Sequence, residues 1–262
     1  MRVFRWTTYL FAIIGFVLVA GYFGVRFGWT NVPGIIDNQR GSFLTQTDDM
    51  AWAKGEEWIT FKDAVSRDIA DIRRAAALSG ISSRIIVANM AVEQLRLFHT
   101  DRELFKAVFA PLKILGNQSQ FSWGVMGIKQ DTARMIESSL KDASSPFYPG
   151  VTYEKLLDFK TADHDSERFA RLTDEKSRFY SYLYAGLYVK EVVEQWRTAG
   201  YDVSDRPEIL STLFNIGFGR SVPKKDPQVG GAAIDIAGKT YSFGGLAGEF
   251  YRSEELIKEF PR

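Results

Sequence analysis

The chain has 262 residues, 45% of them hydrophobic and 25% charged, so it can bury the core of one domain of roughly 200 residues with appendages. Its 33 lysines and arginines nearly balance 32 aspartates and glutamates, which leaves no basic excess to neutralise phosphates and argues against nucleic-acid binding. The sequence has no cysteine, which excludes disulfides, zinc–thiolate sites and thiol nucleophiles, and its two histidines, His99 and His164, are too few and too isolated for a typical metal centre. We therefore predict no metal and no cofactor.

The N-terminal residues predict a membrane anchor. No charged residue occurs from Trp6 to Val25, and a helix of that length spans the roughly 30 Å of a bilayer core. A cleaved signal peptide is the alternative, but the apolar run is longer than the core of a usual signal peptide and no small-x-small cleavage site ends it. We assign residues 1–30 to a single-pass anchor in the cytoplasmic (inner) membrane, residues 31–55 to a polar linker, and residues 56–262 to a domain that faces the periplasm or cell wall.

Apolar spacing predicts that this domain begins with two helices. Residues 57–78 carry apolar side chains along one broad face and are followed by a glycine stop. The second helix, residues 83–95, is apolar nearly all round, as expected of a buried helix, and holds one carboxylate, Glu93. A carboxyl group buried without a partner tends to stay protonated near neutral pH, which is what a general acid requires. A salt bridge between Glu93 and Arg96 or Arg84 is the alternative.

The remaining elements are also mainly helical. Patterning predicts one further helix that starts at residue 100 and others over residues 130–140, 153–159, 173–199, 204–217 and 246–259. Residues 232–237 and 239–243 alternate in hydrophobicity around Gly238, which predicts a small C-terminal hairpin. Just before residue 130, Gly124 and Gly127 would let the backbone approach a ligand closely.

Four blocks of this sequence, taken in order, resemble the soluble lytic transglycosylase family of the lysozyme-like superfamily. That family has a helix-borne Glu, then Gly-Leu-Met-Gln-Ile-Met-Pro-x-Thr-Ala, then an Ala-Gly-x-x-Tyr-Leu helix, and finally Ala-Tyr-Asn-Ala-Gly. The corresponding positions here are Glu93, residues 124–133 (Gly-Val-Met-Gly-Ile-Lys-Gln-Asp-Thr-Ala), residues 185–189 (Ala-Gly-Leu-Tyr-Val) and residues 213–217 (Leu-Phe-Asn-Ile-Gly). The blocks cover residues 83–217, about half of the chain.

The sequence also departs from the family pattern. The family's Glu-Ser pair is Glu93-Gln94 here, its Gln is Gly127, its Met-Pro is Lys129-Gln130 and its motif Tyr is Phe214. The separation between Glu93 and Gly124 is longer than usual, as if a helix had been inserted at the mouth of the cleft.

The resemblance implies a mainly α, lysozyme-like helical domain that cleaves peptidoglycan glycan strands between MurNAc and GlcNAc. In the implied mechanism Glu93 is the single catalytic residue, acting first as acid and then as base. The implied substrate-binding or supporting residues are Ser122, Gly124, Met126, Gly127, Phe214 and Asn215. The resemblance implies glycan strands as the partner, the N-terminal run adds the membrane, and an envelope-spanning assembly is a further candidate partner.

Two other functions stay open at this stage. The first is a non-catalytic wall-binding or assembly protein on the same fold, favoured by Phe214, since a phenyl ring lacks the hydroxyl that in the family helps to place the catalytic Glu. The second is a hydrolytic muramidase, which usually needs a second acid, and the candidates Asp101 and Glu103 lie on the inserted segment.

Overall fold

The computed structural model describes residues 16, 50–98 and 122–262. Within them the chain is mainly helical, as predicted, with eight α-helices and two antiparallel two-stranded sheets. The helices are α1 (Glu56–Arg67), α2 (Ile69–Ser79), α3 (Ser83–Phe98), α4 (Gln130–Ser139), α5 (His164–Thr173), α6 (Phe179–Thr198), α7 (Pro207–Ile216) and α8 (Phe243–Arg252). The strands are β1 (Ser122–Trp123), β2 (Ile128–Lys129), β3 (Ala233–Ile236) and β4 (Lys239–Ser242).

Helix α3 lies at the centre of the domain. Every residue from Arg84 to Glu93 is buried, in agreement with its apolar composition on all sides, and the helix packs against α1, α2, α6, α7 and α8. Gly186 allows α6 to approach this centre, because a Cβ atom there would lie 2.8 Å from the Cβ atom of Ser79 on α2 and 3.3 Å from Ile86 of α3. The helix that carries Glu93 is therefore held on several sides.

The domain core begins before the predicted boundary at residue 56. Trp52 is fully buried, its ring centroid lies 4.8 Å from that of Trp58, and its indole N–H donates to Glu249 at 3.1 Å. The last residues of the predicted linker are thus part of the packed domain.

A buried arginine shapes the C-terminal end of the chain. Arg84 donates to five backbone carbonyls, those of Phe250, Tyr251, Ser253, Glu255 and Phe260, at 2.7–3.1 Å. The prediction of a helix over residues 246–259 is therefore wrong in its extent: α8 ends at Arg252, and the residues after it form turns whose carbonyls point to the guanidinium.

Two other helix predictions are wrong in their bounds. Residues 57–78 form two helices, because the backbone breaks at Asp68, whose carboxylate accepts hydrogen bonds from Arg178 and from the Tyr182 hydroxyl. The helix expected over residues 173–199 begins only at Phe179, and Asp174 instead accepts backbone hydrogen bonds in the preceding loop.

The connection before α6 also differs from the prediction. The short helix expected at residues 153–159 is a 3-10 turn at Val151–Tyr153 followed by further turns. Helix α5 was not predicted; its first turn is capped by Asp163, which accepts from the backbone N–H of Ser166 at 3.0 Å.

The C-terminal hairpin is confirmed. Strands β3 and β4 pair from Ala233 opposite Ser242 to Ile236 opposite Lys239, which leaves Ala237 and Gly238 as a two-residue turn. Both turn residues have positive φ (50° and 77°), as a tight hairpin turn of this kind requires.

The predicted membrane anchor falls almost entirely outside the described residues. Among residues 16, 50–98 and 122–262, no helix has the length and apolarity needed to cross a bilayer.

Candidate functional site

Glu93 lies near the C-terminal end of α3, and its carboxylate forms an ion pair with Arg96, one turn further along. Arg96 donates through Nε to Oε2 at 3.1 Å and through Nη2 to Oε1 at 2.6 Å. The Glu93 side chain is 6% exposed and that of Arg96 is 18% exposed. Of the two partners left open by the sequence, the structure therefore shows Arg96, while Arg84 is occupied by the C-terminal carbonyls.

The tract that contains Gly124 and Gly127 forms a tight turn, which reaches Glu93. Strands β1 and β2 pair Ser122 with Lys129, and residues 124–127 connect them, with the Gly127 N–H donating to the Gly124 carbonyl at 3.3 Å. Gly127 has φ of 64°, and a Cβ atom there would overlap the Glu93 carboxylate, whose Cδ lies 2.8 Å from the Cβ position. Only a glycine lets the backbone pack so closely on this carboxylate.

Two contacts hold this turn in place. The side-chain amide of Gln94 donates to the Val125 carbonyl at 2.7 Å, which ties the turn to α3. Gly124, also at positive φ (63°), packs against the end of α5 and the start of α6, where a Cβ atom would lie 2.6 Å from the Ser181 hydroxyl. The turn is thus wedged between three helices, directly beside Glu93.

The other predicted residues of this tract differ in their surroundings. Met126 is buried, and its side chain belongs to the hydrophobic core together with that of Ile128. The side chain of Ser122 lies outside the described part of the structure. The inserted segment with Asp101 and Glu103 also lies outside it.

Phe214 and Asn215, at the end of α7, make contacts elsewhere. The Phe214 ring packs edge-on against Tyr188, with centroids 5.2 Å apart, and also faces Phe243 at 6.4 Å. The Asn215 side-chain oxygen accepts from the backbone N–H of Ala232 at 2.8 Å, which fixes the segment before the C-terminal hairpin. Neither residue hydrogen-bonds to Glu93, so the structure brings Glu93 and Gly127 together but gives Phe214 and Asn215 separate partners.

A cavity of about 220 Å³ opens next to the Gln94 contact. Its walls come from α1, α3, the turn and the start of α6. The polar residues among them include Glu57, Thr60, Gln94 and Asp68, and Asp68 accepts hydrogen bonds from Arg178 and Tyr182. The apolar lining includes Phe61, Val65, Met90, Leu95 and Val125. Because Gln94 and Val125 line it, this cavity is adjacent to the turn that packs on Glu93.

The sequence did not single out Glu137 and Glu191, whose carboxylates are largely and fully buried, respectively. Glu137 on α4 accepts hydrogen bonds from the Arg168 guanidinium and from the Tyr184 hydroxyl at 2.5–2.6 Å. Burial is the main cause that raises the pKa of Tyr184, and the negative charge of Glu137 is the second. Glu191 on α6 is fully buried, and its oxygens accept no hydrogen bond from any described residue. Burial raises the pKa of Glu191 well above its usual range.

The signal that singled out Glu93 applies to Glu191 as well. Both are carboxylates within largely buried helices, but Glu191 is preceded by Lys190 and followed by Glu194, so its neighbours in sequence are less apolar. Among the residues that the structure describes, no group of three or more His, Asp or Glu side chains is placed to hold a metal ion.

Comparison with known proteins adds no relative to this picture. No protein-family model, no curated protein and no solved structure matches the chain. A functional conclusion therefore rests on the residues and their geometry.

Proposed function

We propose that this chain is a membrane-anchored lytic transglycosylase that cleaves the MurNAc–GlcNAc bond of peptidoglycan on a lysozyme-like domain. The observation that carries the proposal is the contact between Glu93 and Gly127. Two blocks of the resemblance, separated by more than thirty positions in sequence, meet at one buried carboxylate. The positive φ angles of Gly124 and Gly127 support a backbone turn built to lie against that carboxylate and a ligand.

In the proposed reaction Glu93 serves in both half-steps. As the neutral acid it gives its proton to the glycosidic oxygen while the bond to the MurNAc anomeric carbon breaks. As the carboxylate it then accepts the proton of the MurNAc C6 hydroxyl, whose oxygen bonds to the anomeric carbon and closes a 1,6-anhydro ring. The proton removed in the second half-step restores the acid, so no water is consumed.

The proposed location follows from the substrate, because glycan strands lie outside the cytoplasmic membrane. Residues 1–30 would hold the domain at the outer face of that membrane, where it meets the strands and could join an envelope-spanning assembly. The contact that supports the role of Glu93 involves only α3 and the turn at residues 124–127. The catalytic proposal therefore does not depend on the anchor.

A non-catalytic wall-binding or assembly protein is the second candidate. The ion pair between Glu93 and Arg96 favours it, because a carboxylate that is already held by a guanidinium is not free to act as an acid. Phe214 favours it too, since its ring packs among other aromatic side chains and offers no hydroxyl. A hydrolytic muramidase would need a second acid near Glu93.

Digestion of purified sacculi by the full-length protein, followed by mass analysis of the released fragments, separates these functions. We expect 1,6-anhydro ends from a transglycosylase, reducing ends from a hydrolase and no soluble fragments from a binding protein. Glu93→Gln should lower turnover by about 100- to 10,000-fold, the usual contribution of a positioned proton donor. Full turnover by a folded Glu93→Gln protein would refute the catalytic assignment.

Glu194→Gln is a matched control for that variant. Glu194 on α6 also pairs with an arginine three residues further on, Arg197, at 2.7 Å, and it lies on a different helix from the one that carries Glu93. This variant should keep the turnover of the unaltered protein, so a loss confined to Glu93→Gln reports on the site and not on the removal of a paired carboxylate.

A further inference from the structure

Glu93 and Arg96 differ in whether a hydrogen-bonding group remains outside their ion pair. Both Glu93 oxygens accept from Arg96, whereas Arg96 uses Nε and Nη2 and its Nη1 donates to no described residue. Arg96 is also the more exposed partner. Its guanidinium can therefore be approached by a second anion, while the carboxylate below it cannot be approached from that side.

This ion pair opposes the first half-step of the proposed reaction. A guanidinium at hydrogen-bond distance favours the ionised form of a carboxyl group, but protonation of the glycosidic oxygen needs the neutral acid. Among the described residues, Arg96 is the only charged side chain that forms an ion pair with Glu93, and the turn packed on the carboxylate contributes the uncharged Gly127. Turnover therefore requires Arg96 to leave Glu93.

We propose that Arg96 is a positioning residue that pairs with Glu93 in the free protein and moves to a carboxylate of the bound glycan, which makes cleavage selective for acidic glycans. A planar guanidinium binds a carboxylate through two parallel hydrogen bonds, so a substrate carboxylate can replace Glu93 without loss of paired charge. Glu93 is then released from the guanidinium and is free to serve as the acid. The inference rests on the proposed function and adds a specificity to it.

The carboxylate can come from the lactyl group of MurNAc or from the stem peptide. Three substrates distinguish these sources: intact sacculi, glycan strands freed of peptides by an amidase, and neutral GlcNAc oligomers. Preferential cleavage of the peptide-free strands over the neutral oligomers assigns the lactyl carboxylate, because these strands carry no peptide. Preferential cleavage of intact sacculi alone assigns the peptide.

The test compares full-length wild-type protein with Arg96→Gln, Arg96→Lys and the control Arg197→Gln. We expect wild-type turnover to favour an acidic substrate over the neutral oligomer by about tenfold or more, and Arg96→Gln to lose that preference. Arg197→Gln, which removes the exposed arginine that pairs with Glu194 on α6, should behave as wild type.

Arg96→Lys keeps the charge but not the planar fork, so it should lose much of the preference. If Arg96→Gln does not fold, Arg96→Lys tests the inference: a wild-type substrate preference in Arg96→Lys overturns it. A wild-type preference in folded Arg96→Gln overturns the inference as well, while the proposed function stands. Absence of cleavage of every substrate by the wild-type protein overturns both.

Discussion

Replacement of Glu191 by glutamine tests the electrostatics of the core. In the folded protein this carboxyl group is fully buried, no described residue hydrogen-bonds to it, and burial raises its pKa well above its usual range. In the unfolded chain it ionises at its ordinary pKa of about 4.3. Above that pH the unfolded state releases a proton that the folded state keeps, so the stability present at lower pH is lost as pH rises towards the folded-state pKa.

The magnitude follows from this difference in bound protons. Each pH unit between the unfolded-state and the folded-state pKa lowers the free energy of unfolding by about 1.4 kcal/mol at full slope. Glu191→Gln removes this pH-dependent contribution. The new amide leaves unpaired N–H groups in the core at a cost of about 1–3 kcal/mol, but that cost does not vary with pH. The stability of the variant relative to wild type should therefore increase with pH.

Urea unfolding of the full-length protein in a non-ionic detergent, at pH 5, 6 and 7, measures this slope. Glu194→Gln is the control: although burial acts in the opposite direction, hydrogen bonds from Lys190 and Arg197 hold the pKa of Glu194 below its ordinary value. Glu194 is then ionised in both states across this range, and its replacement should change stability by a constant amount. A constant difference for Glu191→Gln as well would refute the reasoning, since it would show that Glu191 is ionised or paired in the folded protein.

Two further predictions concern Gly127 and Asn215. Gly127→Ala should destabilise the protein by at least roughly 1–2 kcal/mol, the cost of a non-glycine residue at positive φ. It should also lower turnover, because the new methyl group displaces the Glu93 carboxylate. A circular-dichroism melt measures the stability and a sacculus digestion measures the turnover; unchanged values would contradict the close contact. Asn215→Ala should lower the free energy of unfolding by about 1–3 kcal/mol, because the partly buried backbone N–H of Ala232 loses its acceptor. A loss of turnover without a loss of stability would instead place Asn215 in the reaction.

Much of the helical structure could be predicted from the sequence. The bounds of α3, α4 and α7 agree with the predicted helices within a few residues, because their start and stop signals are local: Ser83 before an apolar run, Pro207 in the first turn of α7 and Gly217 after its end. The hairpin of β3 and β4 was equally predictable from the alternation around Gly238. The break at Asp68 was not, because the side chains that bind its carboxylate lie more than a hundred residues away.

The candidate site was predictable in part. The lone carboxylate in an apolar helix and the glycine-containing tract were both visible as residue types, but their contact depends on how β1 and β2 fold back on α3. The alignment of Phe214 and Asn215 with a family motif likewise carried no information on their partners, which are Tyr188, Phe243 and Ala232.

The sequence by itself determined that α3 is buried and that Glu93 is the carboxylate within it, because burial of a helix follows from the apolar side chains around its circumference. Only the tertiary structure decided what each arginine of α3 binds. The spacing of one turn permits a pair between Arg96 and Glu93, but it does not show whether the long arginine side chain turns to the carboxylate or to solvent. Arg84 is held by carbonyls 166 to 176 residues further along the chain, which leaves Arg96 as the partner of Glu93.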